Sequence, residues 1–163
     1  MKPALAIRTA TAADAGTLMG LIRALAEYEK LLDQVEADED RIAAALSGSP
    51  PPVAALVAEA DGQPVGFALY FRNFSTFLGR QGLYLEDLFV LPEWRGRGVG
   101  RRLMQALATE ARRFGARRMD WSVLDWNAPA ISFYRAIGGE PTRAWQGWRL
   151  EGDALEALAA DDD

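Results

Sequence analysis

Residues Arg95-Gly96-Arg97-Gly98-Val99-Gly100 alternate glycine with arginine immediately before a helical stripe of apolar residues. That combination makes an anion site. The first N–H groups of a helix lack intrahelical partners, and the helix dipole favours negative charge beside them. Glycines let the backbone turn through positive φ and approach a ligand closely. Arg95, Arg97, Arg101 and Arg102 could add charge-assisted bonds to phosphate oxygens. A Walker A loop needs Gly-Lys-Ser/Thr, which the chain lacks. A dinucleotide fingerprint needs a third glycine where Arg101 stands, and a parallel strand before it. A turn with no ligand remains the alternative, since glycine-rich turns are common.

Two further groups could move protons. Glu86-Asp87 interrupts an otherwise apolar strand, where carboxylates are costly unless paired, hydrated or useful. A solvent-facing acid beside a structural ion pair is the competing reading. Tyr134 lies beside Ile131 and Phe133 in an amphipathic stretch and by its position alone reads as a core aromatic. The chain has no Cys and no His. Disulfides, thiolate nucleophiles, imidazole bases and ordinary transition-metal sites are therefore excluded, and no metal is expected. Proton transfer must run through carboxylates, Tyr, Ser/Thr, Lys or water.

Charge is unevenly distributed. The net charge is −5, yet residues 93–118 hold eight Arg against Glu93 and Glu110, a local +6 that leaves −11 elsewhere. One locally bound anion and cations elsewhere suit that pattern; a solvated helix face is the alternative. Nucleic-acid binding through the Arg segment is disfavoured by the overall charge and by the lack of interleaved aromatics. No apolar run approaches the ~20 residues that span a bilayer, and the N-terminus does not read as a signal peptide. A cytoplasmic location with no membrane partner is the expectation.

The elements that must position these groups follow from periodicity. A first strand is predicted at Ala4–Thr9, and Thr11 with Asp14 forms a variant capping box. Ala15, Leu18, Met19, Ile22, Leu25 and Ala26 mark one buried helix face, ending near Tyr28-Glu29; a weaker helix covers about 37–47. Strands are predicted at Val53–Ala60 and Pro64–Phe71 around an Asp61-Gly62 turn, then a loop at about 73–82 and a strand at Leu83–Leu91 stopped by Pro92. Val99, Leu103, Met104, Leu107, Ala111 and Phe114 make the helix after the glycine loop, ended by Gly115. A strand at Arg118–Leu124 and a helix capped by Asn127 follow, then short strands near 140–143 and 146–150. Asp153 and Glu156 suggest a last helix, and Asp161–Asp163 are expected to fray. The order describes one α/β domain over residues 1–163, with a mixed, largely antiparallel central sheet flanked by helices.

The Arg-x-x-Gly-x-Gly loop, the segment Leu83-Tyr84-Leu85-Glu86-Asp87-Leu88-Phe89-Val90 before it and Trp126-Asn127-x-Pro129-Ala130-x-x-Phe133-Tyr134 after it together resemble the GNAT N-acetyltransferase superfamily. The resemblance runs from Ile7 to about Leu150 and is nearest the diamine/polyamine branch (spermidine/spermine) with its thialysine-acetylating relatives. It implies an acetyl-CoA-dependent enzyme that moves an acetyl group onto the primary amine of a small cationic substrate by direct attack in a ternary complex. A non-catalytic acyl-CoA-binding or regulatory domain on the same fold is the alternative, against which the retention of Glu86 and Tyr134 argues.

By that resemblance, Tyr134 is the general acid for the departing thiolate, and Glu86 stands on the base side. Acetyl-CoA falls to Leu88, Phe89 and Val90 through the strand backbone, to Arg95, Gly96, Arg97, Gly98, Val99, Gly100 and Arg101 in the loop, and to Asn127 and Tyr134. An alkylamine at pKa ~10.4 and a Glu at ~4.3 are mismatched by about 8 kcal/mol, so Glu86 is expected to bind the ammonium and relay its proton through water. The amine side falls to Tyr28, Glu29, Glu86, Asp87, Trp126 and Trp148. Ser75, Phe77 and Gln146 stand where polyamine enzymes carry an acid, a Trp and an acid, which makes a diamine or a lysine-like amine at least as good a substrate as a polyamine. The branch also implies a homodimer.

Overall fold

The computed structural model describes residues 3–160, so the expected fraying of Asp161–Asp163 lies outside the described residues. Contacts divide the chain into two compact units between Leu124 and Asp125. The first holds five strands and three helices: β1 (Leu5–Thr9), α1 (Ala15–Tyr28), α2 (Glu39–Ser47), β2 (Ala54–Ala60), β3 (Gln63–Ser75), β4 (Arg80–Val90), α3 (Val99–Arg113) and β5 (Met119–Trp121). The strands lie in sequence order, antiparallel from β1 to β4, with β5 parallel to β4.

Each face of the sheet buries one helical stripe. Leu18 and Leu21 of α1 pack with Ala55, Val57, Phe67, Leu69 and Phe89, and Ile42 and Leu46 of α2 close the edge of that cluster. Val99, Leu103, Met104, Leu107 and Ala111 form the buried stripe of α3, which contacts β1 to β4. Arg8 ties the first layer together. Its guanidinium donates to Glu59 at 2.7 Å and to both oxygens of Asp14, while the Asp14 carboxylate also accepts from the Thr11 N–H at 2.8 Å. These bonds hold Asp14 at a pKa of about 2. The β2–β3 turn is the tight hairpin its sequence demands: Asp61 and Gly62 sit at φ 49° and 79°, the pair of left-handed residues whose twist matches the flanking strands.

In this unit two expectations need correction. Residues 73–82 are not a loop: β3 runs to Ser75 and β4 starts at Arg80, so a two-stranded ribbon projects past β2, whose pairing with β3 stops at Tyr70. Paired backbone prevails there over a turn-rich composition. Ser75 closes the ribbon by accepting the Leu78 N–H at its Oγ, 3.2 Å away. β5 is also shorter than Arg118–Leu124, covering Met119–Trp121 alone.

The second unit contains α4 (Ala128–Ala136) and α5 (Asp153–Ala159). Asn127 caps α4, its Oδ1 accepting from the Ala130 N–H at 3.3 Å, and Gly138 turns the chain out at φ 92°. The strands expected near 140–143 and 146–150 are absent. A strand exists only with a ladder partner, and none pairs with these residues among those described.

Candidate active site

The acidic end of β4 owes its geometry to one extra residue. Leu85 pairs with Tyr70 and Asp87 with Leu69, so Glu86 has no counterpart on β3 and forms a β-bulge. Cross-strand partners share a face. Leu83 and Leu85 therefore lie with Arg72 and Tyr70 on the side where Arg72 stacks over Phe114 at the end of α3. Asp87 and Phe89 lie with Leu69 and Phe67 on the α1 side. Without the bulge, Asp87 would follow Leu85 onto the α3 face.

On the α1 side Asp87 joins two residues at the end of α1. The Tyr28 ring lies 6.4 Å from Phe89, and Glu29 follows as the C-cap. Burial, with the nearby charges of Glu86 and Glu29, pushes the Asp87 carboxyl up to about 6. Burial alone raises Glu29. Glu86 itself is exposed. Of the pair, Asp87 is thus the more shielded carboxylate. None of these acids belongs to a group of three or more placed to hold a metal ion, among the described residues.

Arg95 completes this cluster. Its guanidinium lies 4.4 Å from the Tyr28 ring centroid and 5.4 Å from that of Phe89, and its Nε–H donates to the Val90 carbonyl at 2.9 Å. Cation–π contact and the hydrogen bond fix the first residue of the glycine loop to β4 and α1. Arg102 is also engaged, donating to the Leu5 carbonyl on β1, and Arg97 stacks over Trp94 at 4.9 Å. Arg101 is exposed on the first turn of α3.

The loop itself has an anion-holding shape. Gly96 and Gly98 sit at φ 70° and 84°, and Gly98 is the N-cap of α3. A Cβ at either would meet nothing within 4 Å, so the space beside them is open. Val99 and Gly100 then begin the helix, where N–H groups are unpaired by helix geometry.

Beside the loop, no strand of the described residues pairs with the outer edge of β4 beyond Leu85. Its pairing with β5 covers only Leu83 to Leu85. The Leu91 N–H donates to Val65 on β3, so strand alternation turns the main-chain groups of Leu88 and Val90 to the opposite, outer edge. An extended ligand could pair there as an added strand.

Tyr28, Glu29, Glu86, Asp87, Leu88, Phe89, Val90 and the loop at 95–101 therefore belong to the first unit. In the second, Asn127 is buried, Tyr134 is half-buried with its ring 5.4 Å from that of Phe133, and Trp126 and Trp148 are exposed. Phe77 stands at the ribbon tip, 95 % exposed. Within the described residues no helix is long and apolar enough to cross a membrane.

Comparison with known proteins gives a consistent result. The model of the acetyltransferase (GNAT) family matches residues 20–138. A thialysine N-epsilon-acetyltransferase of Bos taurus is 42 % identical, over 94 % of this chain and 96 % of its own. The L-ornithine N5-acetyltransferase NATA1 of Arabidopsis thaliana is 43 % identical over 57 % of this chain and 41 % of its own. Among solved structures, an integron cassette protein from the mobile metagenome of V. cholerae superposes with a TM-score of 0.80 at 30 % identity, covering 96 % of this chain and 98 % of that one.

Proposed function

This chain belongs to the acetyltransferase (GNAT) family and is an acetyl-CoA-dependent N-acetyltransferase, and we propose that its acceptor is the primary amine of a small cationic molecule, a lysine-like amino acid or short diamine ahead of a long polyamine. The observation that carries this reading is the half-buried Asp87 carboxyl, raised by burial and by the charges of Glu86 and of Glu29, the C-cap of α1. The charges of Glu86 and Glu29 oppose ionisation of Asp87, and a bound ammonium would relieve that opposition. Relatives named for thialysine and ornithine acetylation point the same way. Ser75, where a polyamine enzyme carries an acid, is used to close the hairpin turn.

The proposed catalytic steps use these groups in turn. The N–H groups at Gly98 to Arg101 hold the phosphates of acetyl-CoA, with Arg97 and Arg101 contributing charge, while Arg95 secures the loop. The outer edge of β4 at Leu88 and Val90 pairs with the pantetheine arm, and the Leu88 N–H is available to the oxyanion formed on attack. The amine must lose a proton. At a pKa of about 6, Asp87 is a better acceptor than an ordinary carboxylate. It still lies about four pH units below an alkylammonium, so the proton passes through water, with exposed Glu86 binding the incoming cation. Tyr134 donates to the departing thiolate, and Asn127 contacts the pantetheine arm while capping α4. The family match over residues 20–138 spans the boundary at Leu124, which supports reading the two units as one catalytic domain; direct attack in a ternary complex is part of the same proposal.

The test is CoA release measured over lysine analogues, ornithine, diamines, spermidine, spermine and aminoglycosides. The expected order places the amino acids and short diamines first. A kcat/KM for spermine above that for every amino acid overturns the substrate assignment, and no CoA release from any amine overturns the reading of the acidic cluster.

A further inference from the structure

Arg95 opens the glycine loop, yet its side chain is engaged elsewhere. The guanidinium lies 4.4 Å from the Tyr28 ring centroid and 5.4 Å from that of Phe89, and its Nε–H donates to the Val90 carbonyl at 2.9 Å. An arginine that grips phosphate turns its fork of N–H groups toward the anion. Here one donor is used on β4 and the planar cation is used on an aromatic ring. Arg101 differs. It is exposed on the first turn of α3, where the helix dipole already favours an anion.

What Arg95 reaches is the end of α1. That helix stops in a Schellman turn: the Leu31 N–H donates to the Ala26 carbonyl at 2.8 Å, the Lys30 N–H to the Glu27 carbonyl at 3.1 Å, and Lys30 sits at φ 61°. The last turn of α1 holds no basic residue. The carbonyl end of a helix favours a cation, and Arg95 brings one from a distant part of the chain. Tyr28 is the last residue of the helix and Glu29 its C-cap. Glu29 is half-buried, and its charge acts on Asp87 of β4. One guanidinium therefore ties the ring that ends α1 to the main chain of the strand that carries Asp87.

We propose that Arg95 is a positioning residue of the acceptor site and not a phosphate ligand: it holds the Tyr28 ring, and with it the turn that carries Glu29, against β4 for binding of the primary ammonium. This rests on the acceptor reading given above, which places the amine between Asp87 and the end of α1. Its consequence is a division of labour within the loop. The side chain of Arg101 and the N–H groups of α3 set the affinity for acetyl-CoA, while the side chain of Arg95 sets the affinity for the amine. An exposed cation–π contact with one hydrogen bond carries a modest effect, a few-fold in affinity.

Steady-state kinetics with ornithine and thialysine, and calorimetry with acetyl-CoA, compare the full chain with Arg95→Gln, Arg101→Gln, Tyr28→Leu and the double variant Arg95→Gln/Tyr28→Leu. Arg95 and Arg101 are exposed, so the fold survives their replacement. Arg95→Gln should raise the KM for the amine about fivefold, with kcat and acetyl-CoA affinity within about twofold of the parent. Arg101→Gln should do the reverse, weakening acetyl-CoA about fivefold at an unchanged amine KM. The double variant should be no worse toward the amine than Tyr28→Leu alone, because Arg95 acts through that ring. A loss of acetyl-CoA affinity in Arg95→Gln as large as in Arg101→Gln overturns the proposal, whatever the acceptor proves to be. So does an amine KM that Arg95→Gln leaves unchanged, or a double variant in which the two losses multiply. If spermine proves the best acceptor, the substrate assignment fails, and the same comparison made with spermine still decides the role of Arg95.

Discussion

Asn in place of Asp87 should make the protein more stable and a poorer enzyme, and the gain in stability should depend on pH in a calculable way. In the fold, burial and the charges of Glu86 and Glu29 raise this carboxyl to about 6, against an ordinary value of 3.8 in the open chain. Between those values the folded state binds the proton and the unfolded state does not. The neutral carboxyl therefore favours the fold fully below pH 3.8, and that contribution is lost as pH rises through 6. Proton linkage puts the loss at about 1 kcal/mol by pH 4.5 and about 3 kcal/mol by pH 8. Asn mimics the protonated acid and carries no such loss. Urea unfolding of both proteins at pH 4.5 and pH 8 should show Asp87→Asn ahead by about 1 and about 3 kcal/mol respectively. At pH 8 that corresponds to roughly 6–12 °C in Tm. The same variant should lose acetylation of the amine while acetyl-CoA affinity holds. A stability difference of equal size at both pH values, or a less stable variant at pH 8, would falsify the environment assigned to Asp87.

Three other perturbations probe the rest of the site and its frame. Tyr134→Phe is expected to lower turnover about 100-fold with acetyl-CoA binding unchanged by calorimetry; wild-type turnover removes Tyr134 as the acid. Gly98→Ala meets no steric obstacle but forces a side chain into φ 84°, a cost of about 1–2 kcal/mol. Acetyl-CoA affinity should fall about tenfold, and unchanged affinity shows that the left-handed turn is not needed to hold the phosphates. Asp14→Asn breaks the bonds to Arg8, whose side chain is 40 % exposed, so screening limits the cost at pH 7 to about 1 kcal/mol. Because the folded pKa of about 2 lies below the unfolded 3.8, that stability is present above pH 3.8 and disappears as pH falls through 2. Unfolding curves for the two proteins should converge in acid; a constant gap refutes the assignment.

The parts legible in the sequence were those set by local chemistry. Gly98 at positive φ heads α3, the stripe from Val99 to Ala111 is buried, Asp61-Gly62 makes its hairpin and Asn127 caps its helix. What was not legible depends on pairing between distant segments. Residues 73–82 read as a loop because Asn73, Ser75, Gly79 and Gly82 are turn-forming residues, and only the ladder between β3 and β4 makes strand of all but the turn. In the linear sequence Arg95 is one more cation of the loop. Its stacking on Tyr28 joins residues 67 positions apart, and no periodicity reports that. Glu86 and Asp87 stand out in the sequence as an acid pair within an apolar strand, but their relative shielding is hidden there, because the bulge that separates them exists only against β3. The two strands expected after residue 139 show the converse, a strand-like pattern with no ladder partner among the described residues.

Glu86 is also a spacer. Removing its charge and removing its backbone are different operations. Glu86→Gln leaves the strand in phase and asks only about the carboxylate. Deleting the residue shifts the phase of β4 by one position relative to β3. Either Asp87 is carried to the α3 side, away from Tyr28 and Glu29, or the ribbon inverts and Tyr84 loses its stack on Phe71, now 5.0 Å away. The strand thus works like a printed line with one inserted character: everything on one side of it reads in a different frame from everything on the other. Homologous chains that keep the acid pair but lose or gain a residue beside it would present the same letters to the opposite face of the sheet.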